Sequence, residues 1–365
     1  MTNNYLLPPL SDELEVSVFG PGVGEAIAVH IGGGHWVLVD SCRFPRQTLP
    51  LSLRYLYDLN VDVETSVILV VATHWHQDHI RGMDVVLERC KNAQFVITGA
   101  ARGEFLDLIK LYDKTSVPEY SSTRDVSKVF EVLIHNKRTL KHAISDRVLL
   151  HKFVDLDGRE VEASVHSLSP SDDTIGIELA RVSKMLKEGS PARELHATNH
   201  PSVVLWVRVG NYYILLGGDL ERTKEPGTGW SAILEKSLVV SSKAQVFKIP
   251  HHGSENAHHP DIWDLLLESQ PVAAVTPFRS GKNPLPSHND RTRIVSLTPH
   301  AYSTAPTSQS KVKLRDRGVA RSFREATKWS NDLYRRSGQV RFRKKIDAEN
   351  NNWQVNLFGS AYQMT

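Results

Sequence analysis

The stretch Thr73-His74-Trp75-His76-Gln77-Asp78-His79-Ile80-Arg81-Gly82 places three imidazoles and a carboxylate within six residues. A folded core cannot satisfy so many polar rings at once, and neutral imidazole with carboxylate is the usual ligand set of zinc, manganese or iron. If extended geometry persists for one step, His74 and His76 point the same way, while Asp78 and His79 fall on the turn and can face a second ion. Asp78 is thus a candidate for both metal binding and catalysis.

The flanking sequence is what such a loop needs. Val67-Ile68-Leu69-Val70-Val71 is too short and too apolar for anything but a strand buried on both faces, and Met83 to Arg89 reads as helix. Two later strand ends repeat the pattern. A hairpin, Ser202 to Val209 and Tyr212 to Leu216, ends in Gly217-Gly218-Asp219, where a carboxylate at a strand terminus could bridge two ions. The strand Ala244 to Ile249 ends in Pro250-His251-His252-Gly253-Ser254, with His252 the expected last ligand and His251 its alternate. Ser254 and Asn256 lie close enough in sequence to this ligand to contact a substrate. Asp40 follows the apolar run Trp36-Val37-Leu38-Val39; taken alone it reads as a helix N-cap.

The order His74-x-His76-x-Asp78-His79 with Gly82 resembles the signature of the metallo-β-lactamase fold, a superfamily of metal-dependent hydrolases. The resemblance implies an α/β chain folded as a four-layer αββα sandwich. It also implies two divalent ions, zinc or manganese, and an Asp40 that orients the ligand loop by hydrogen bonding. Gly-Gly-Asp, then strand-Pro-His-His-Gly-Ser, then a late histidine narrows it to the hydrolase domain of the bacterial DNA-uptake (competence) channel and its stand-alone relatives. That branch matches Asn199 and Ser202 before Val203-Val204-Leu205, and matches His288, a candidate acid for the leaving group. Many superfamily members place a third histidine on the first ion, between the histidine loop and the aspartate; His196 and His200 lie in that interval, with His200 the candidate, and the branch often lacks this ligand.

With 365 residues, 40% of them apolar and 23% charged, the chain is sized for one large globular domain or two small ones. No apolar run approaches a bilayer span and no signal-peptide plan is present, so a cytoplasmic protein is expected, with Cys42 and Cys90 as packed, reduced thiols. The expected organisation is a catalytic domain over 1–306, with an insertion at about 113–154 bordering the active-site face, and a basic C-terminal extension with closing strands over 307–365. Expected elements include an antiparallel meander from Leu14 to Asp40, helices at Val126 to Ile134 and Lys141 to Leu149, and a closing hairpin at Gly338 to Arg343 and Trp353 to Leu357.

Thirteen Lys or Arg against three Asp or Glu between Thr307 and Lys345 give that segment +10 and leave the rest of the chain at −7. Interleaved with Phe323, Trp329, Tyr334 and Phe342, it offers phosphate contacts beside stacking surfaces; read blandly, Ala320 to Arg336 is a solvated basic helix. Nucleic acid is therefore the leading partner and a nuclease or phosphodiesterase the leading activity. The alternatives are a hydrolase of cyclic nucleotides, lactones or thioesters, and an effector silent until a regulatory protein partner or proteolysis near Glu188-Gly189-Ser190-Pro191 releases it.

Overall fold

The computed structural model describes residues 7–44, 47–114, 121–156, 158–190, 194–195, 198–280, 283–307, 338–346 and 352–365. Two eight-stranded mixed sheets pack face to face, with helices on both outer faces. The first sheet begins as the expected meander of β1 (Glu13–Gly20), β2 (Ala26–His30) and β3 (Trp36–Val39). Helices α1 (Leu51–Asp58) and α2 (Val63–Ser66) then carry the chain over to β4 (Val67–Ala72), parallel to β3. The one-turn helix α3 (Gln77–Ile80) and α4 (Met83–Arg89) lead to β5 (Gln94–Thr98). Helices α5 (Glu104–Lys114) and α6 (Ser121–His135) lead to β6 (Leu140–Ala143), also parallel. Parallel pairing requires such crossovers, and their helices cover this sheet's outer face.

The second sheet starts at β7 (Arg147–Asp155), β8 (Glu160–Ser167) and, after α7 (Asp172–Glu188), β9 (Leu205–Val209) and β10 (Tyr212–Leu216), all antiparallel. Helix α8 (Gly229–Lys236) leads to β11 (Ala244–Lys248). β12 (Leu267–Val275), α9 (His288–Leu297) and β13 (Ala301–Ser303) follow, with β10 to β13 parallel. The helix expected at Lys141 to Leu149 is instead the end of β6, a turn, and the start of β7: Leu149 is buried among side chains between the sheets while its neighbours alternate outward, a period of two. Residues 113–154 therefore supply an edge strand to each sheet.

The closing hairpin forms as β14 (Gly338–Lys345) and β15 (Gln354–Phe358), and β14 also pairs with the whole of β1. A short β16 (Tyr362–Gln363) joins β13. Alternation decides where this segment's charge goes. Val340 and Phe342 join Val16, Val29, Val71, Val207 and Ile214 in the core between the sheets. Arg341 and Arg343 face the helix side, where Arg343 Nε donates to Glu15 Oε2 (2.6 Å) and Tyr55 Oη donates to Glu15 Oε1 (2.7 Å). Phe342 is fully buried and offers no stacking surface. The proposed basic helix from Ala320 to Arg336, with Phe323, Trp329 and Tyr334, lies outside the described residues. Cys42 and Cys90 are buried and unpaired, and no helix of the described residues is long and apolar enough to cross a membrane.

Candidate metal centre

The C-terminal ends of the parallel strands converge at one edge of the sandwich, where open α/β sheets commonly bind ligands. β4 delivers His74 and His76, α3 carries Asp78 and His79, β10 runs into Asp219, and β11 into His251 and His252. Asp78, His79, Asp219 and His252 each present a ligand atom, all within 4.8 Å of one another. His79 Nε2 is 3.2 Å from Asp219 Oδ2, and His252 Nε2 is 3.1 Å from Asp78 Oδ2 and 3.4 Å from Asp219 Oδ2. The rings of His74 and His76 adjoin this group, with centroids 4.6 Å apart and His74 4.3 Å from His79.

Each aimed nitrogen is set by the bond its ring makes on the other side. His79 Nδ1 is 2.7 Å from Asp40 Oδ2, His252 Nδ1 donates to the Thr276 carbonyl (2.9 Å), and His74 Nδ1 meets Thr73 Oγ1 (3.0 Å). Asp40 also accepts from the Thr73 amide and hydroxyl, each at 2.7 Å, so one buried carboxylate holds both ends of the histidine loop. Backbone strain marks the same spots. Asp40, His251 and His252 have φ of 57°, 44° and 55°, a region that costs side-chain-bearing residues about 1–3 kcal/mol and concentrates at functional sites. Gly218 (φ +52°) is required for a packing reason: a Cβ there would stand 2.7 Å from Ser202 Oγ and the Val203 carbonyl. Ser202 Oγ in turn accepts from the Asp219 amide (2.9 Å).

Electrostatics test whether a cation fits. Burial raises Asp78 and Asp219, but charge on His79 and His252 outweighs it and holds both carboxyls below their usual range. Burial likewise lowers His79 and His252, and Asp219 with Asp78 reverses it, so both imidazoles lie above theirs. Positive charge is thus strongly favoured between these carboxylates. Burial, with His79 beside them, keeps His74 and His76 low and therefore neutral, the form that binds metal. His74 Nε2 is buried with no hydrogen-bond partner, as expected of a nitrogen reserved for an ion. The residues present fit a divalent metal.

The predicted contact residues Ser254 and Asn256, and Asn199, stand beside this group. His251 Nδ1 meets Asn256 Oδ1 at 2.9 Å, and Asn199 Nδ2 reaches both Glu221 Oε1 (2.9 Å) and His251 Nε2 (3.2 Å), while Asn199 Oδ1 is buried without a partner. Ser254 caps the His251 turn through its amide, bonded to the His251 carbonyl at 3.0 Å. His200 is half-buried in the turn before Pro201 and outside the four-residue cluster. His288 opens α9 and lines a separate cavity with Tyr362 and Met364. His288 is not one of the four clustered residues.

Two buried charged residues beside the cluster escaped the sequence analysis. Lys248 and Glu25 form a buried ion pair of 2.6 Å, with Lys248 Nζ also 3.8 Å from Asp219 Oδ1 and donating to the Gly218 carbonyl. Thr276 Oγ1 donates to Glu25 Oε2 (2.5 Å), tying the pair to the residue that holds His252. A lysine inside the apolar strand Ala244 to Ile249, two residues before Pro250-His251, was the signal that could have found them.

The model of the metallo-β-lactamase superfamily matches residues 19–273. The chain belongs to the metallo-β-lactamase superfamily. Among solved structures, this superfamily member is similar to the metallo-β-lactamase fold protein YhfI from Bacillus subtilis, at 13% identity and a TM-score of 0.40 over 80% of this chain and 95% of that one. It is also similar to Zn(2+)-bound PqqB from Methylobacterium extorquens (13%, TM-score 0.28, 62% and 61%) and to a metallo-β-lactamase from Hirschia baltica (12%, 0.27, 59% and 71%). No curated protein matches its sequence significantly.

Proposed function

We propose that this metal-dependent hydrolase is a phosphodiesterase that cleaves nucleic acid in the cytoplasm, using two divalent ions. The observation that carries the reading is the position of Asp219, in contact with His79 and His252 and close enough to His74 and His76 to act on their charge. In this reading His74 and His76 would hold one ion, Asp78, His79 and His252 the other, and Asp219 would serve both. Such ions, when bound, supply an acidified water and charge to stabilise an in-line displacement at phosphorus. Asp40 holds the His79 ring in the orientation that points Nε2 at Asp219, and Thr276 does the same for His252. The substrate class is supported by the resemblance to the DNA-uptake hydrolase domain and by nine Lys or Arg between Lys311 and Arg336, beyond the four on β14.

The test is cleavage of circular DNA, linear DNA and RNA by the purified protein with manganese, zinc or magnesium, beside an Asp78→Ala/His79→Ala variant. Metal-dependent cutting that the variant lacks is expected. Absence of cutting with every metal would refute the reading.

A further inference from the structure

A cavity of about 160 Å³ opens directly on Asp78, the most accessible member of the metal cluster, and two of its walls are the side chains of Arg43 and Arg81. Phe278 and Ser280 also line it. Its size is below the range of whole-ligand pockets, so it suits one group of a larger substrate. The two arginines come from different segments that are fastened together: the Ser41 amide donates to the His79 carbonyl (2.7 Å) and Ser41 Oγ to the Arg81 carbonyl (3.1 Å). Arg43 is itself oriented, with one Nη donating to the Gln47 carbonyl (2.8 Å), which leaves its Nε buried without a partner. A planar guanidinium is suited to take two oxygens of a carboxylate or phosphate. The remaining wall also has a purpose: Phe278 stacks on the ligand His252, with ring centroids 5.1 Å apart and planes at 28°, so the aromatic face and the cations meet around one metal-ligating carboxylate.

We propose that this cavity is a phosphate-oxygen subsite, in which Arg43 and Arg81 grip the non-bridging oxygens of the substrate's phosphoryl group beside the metal centre. Both residues are substrate-positioning groups. Asp125, buried on α6 and bonded to Gln77, also feels the charge of Arg81; a guanidinium has donors enough for an acid and a ligand. The proposal rests on the phosphodiesterase reading for its substrate, but not for its anion.

Binding of inorganic phosphate to the metal-loaded protein, by calorimetry, tests it without turnover. Arg43→Ala/Arg81→Ala should keep the metal content and melting temperature of the parent while raising the phosphate Kd by about tenfold or more, and each single variant should lie between. Turnover gives an independent reading: KM for bis(p-nitrophenyl) phosphate should rise far more than kcat falls. An unaltered phosphate Kd in the double variant would overturn the subsite, as would tighter binding of acetate than of phosphate. If the parent binds phosphate through the two arginines yet cuts no phosphodiester, the phosphodiesterase reading fails and the anion subsite stands.

Discussion

Lys248 Nζ lies 2.6 Å from Glu25 Oε2, and both side chains are sealed from solvent immediately behind the metal cluster. The pair joins β11 to the start of β2 and so links the two sheets at the site. Removing one partner strands a buried charge, at a cost of about 3–5 kcal/mol, whereas replacing both leaves none. Lys248→Met should therefore destabilise the metal-free protein by that order, and Lys248→Met with Glu25→Gln should recover most of it. Urea unfolding of the four proteins of this cycle measures the coupling.

Asp40 stands behind the candidate ligands and holds Thr73 and His79 in place. Asp40→Asn keeps the shape and loses an acceptor, and the expected result is a metal affinity weaker by about 10- to 100-fold. Competition with a chromogenic chelator reads it, and an unchanged affinity would show that His79 is oriented without Asp40.

His30 makes stability pH-dependent. Burial depresses its pKa to about 4, although Nδ1 bonds the Glu13 carbonyl at 2.7 Å; Nε2 takes the Gly34 amide. The unfolded chain, with an ordinary imidazole, binds a proton near pH 6.5 that the folded chain refuses until about pH 4. Stability is thus full above pH 6.5 and falls as pH drops through that window, by up to about 3 kcal/mol. In His30→Gln this part of the pH slope should vanish, as followed by urea unfolding from pH 7 to pH 4.

Arg343 and the basic stretch before it should separate cleanly. Arg343→Met breaks the buried bond to Glu15 and should lower stability by about 3–5 kcal/mol without changing the salt dependence of DNA binding. Neutralising Lys or Arg between Lys311 and Arg336 should do the reverse, reducing the salt slope by nearly one unit for each DNA phosphate left without its cation. Fluorescence anisotropy across a salt series distinguishes them.

Most of the strand order near the site could be read from sequence because each apolar run ends in a polar residue that a buried strand would not tolerate, as at Val71 to His74 and Ile249 to His252. Lys141 to Leu149 misled for a physical reason: an edge strand half open to water carries mixed polarity, and its period of two is short enough to pass for a helical face. Lys248 was overlooked because a charge inside a strand is legible only once its partner is known, and Glu25 lies far away in sequence. Total charge also misled at β14, where Arg341 and Arg343 serve the sheet rather than a ligand.

The pairing of β1 with β14 joins Glu13 to Lys345 and Gly20 to Gly338. Every metal-ligand candidate leaves the ribosome before β14 does, yet until that strand arrives β1 displays a full row of unpaired amides and carbonyls, and Glu15 lacks its cation. Nascent chains therefore pass through a stage with an open, sticky sheet edge, long-range closure makes that stage slow, and any product cut short before residue 338 keeps it for good. Synthesis order thus ties solubility to the arrival of this one strand, well after the histidine loop has been made.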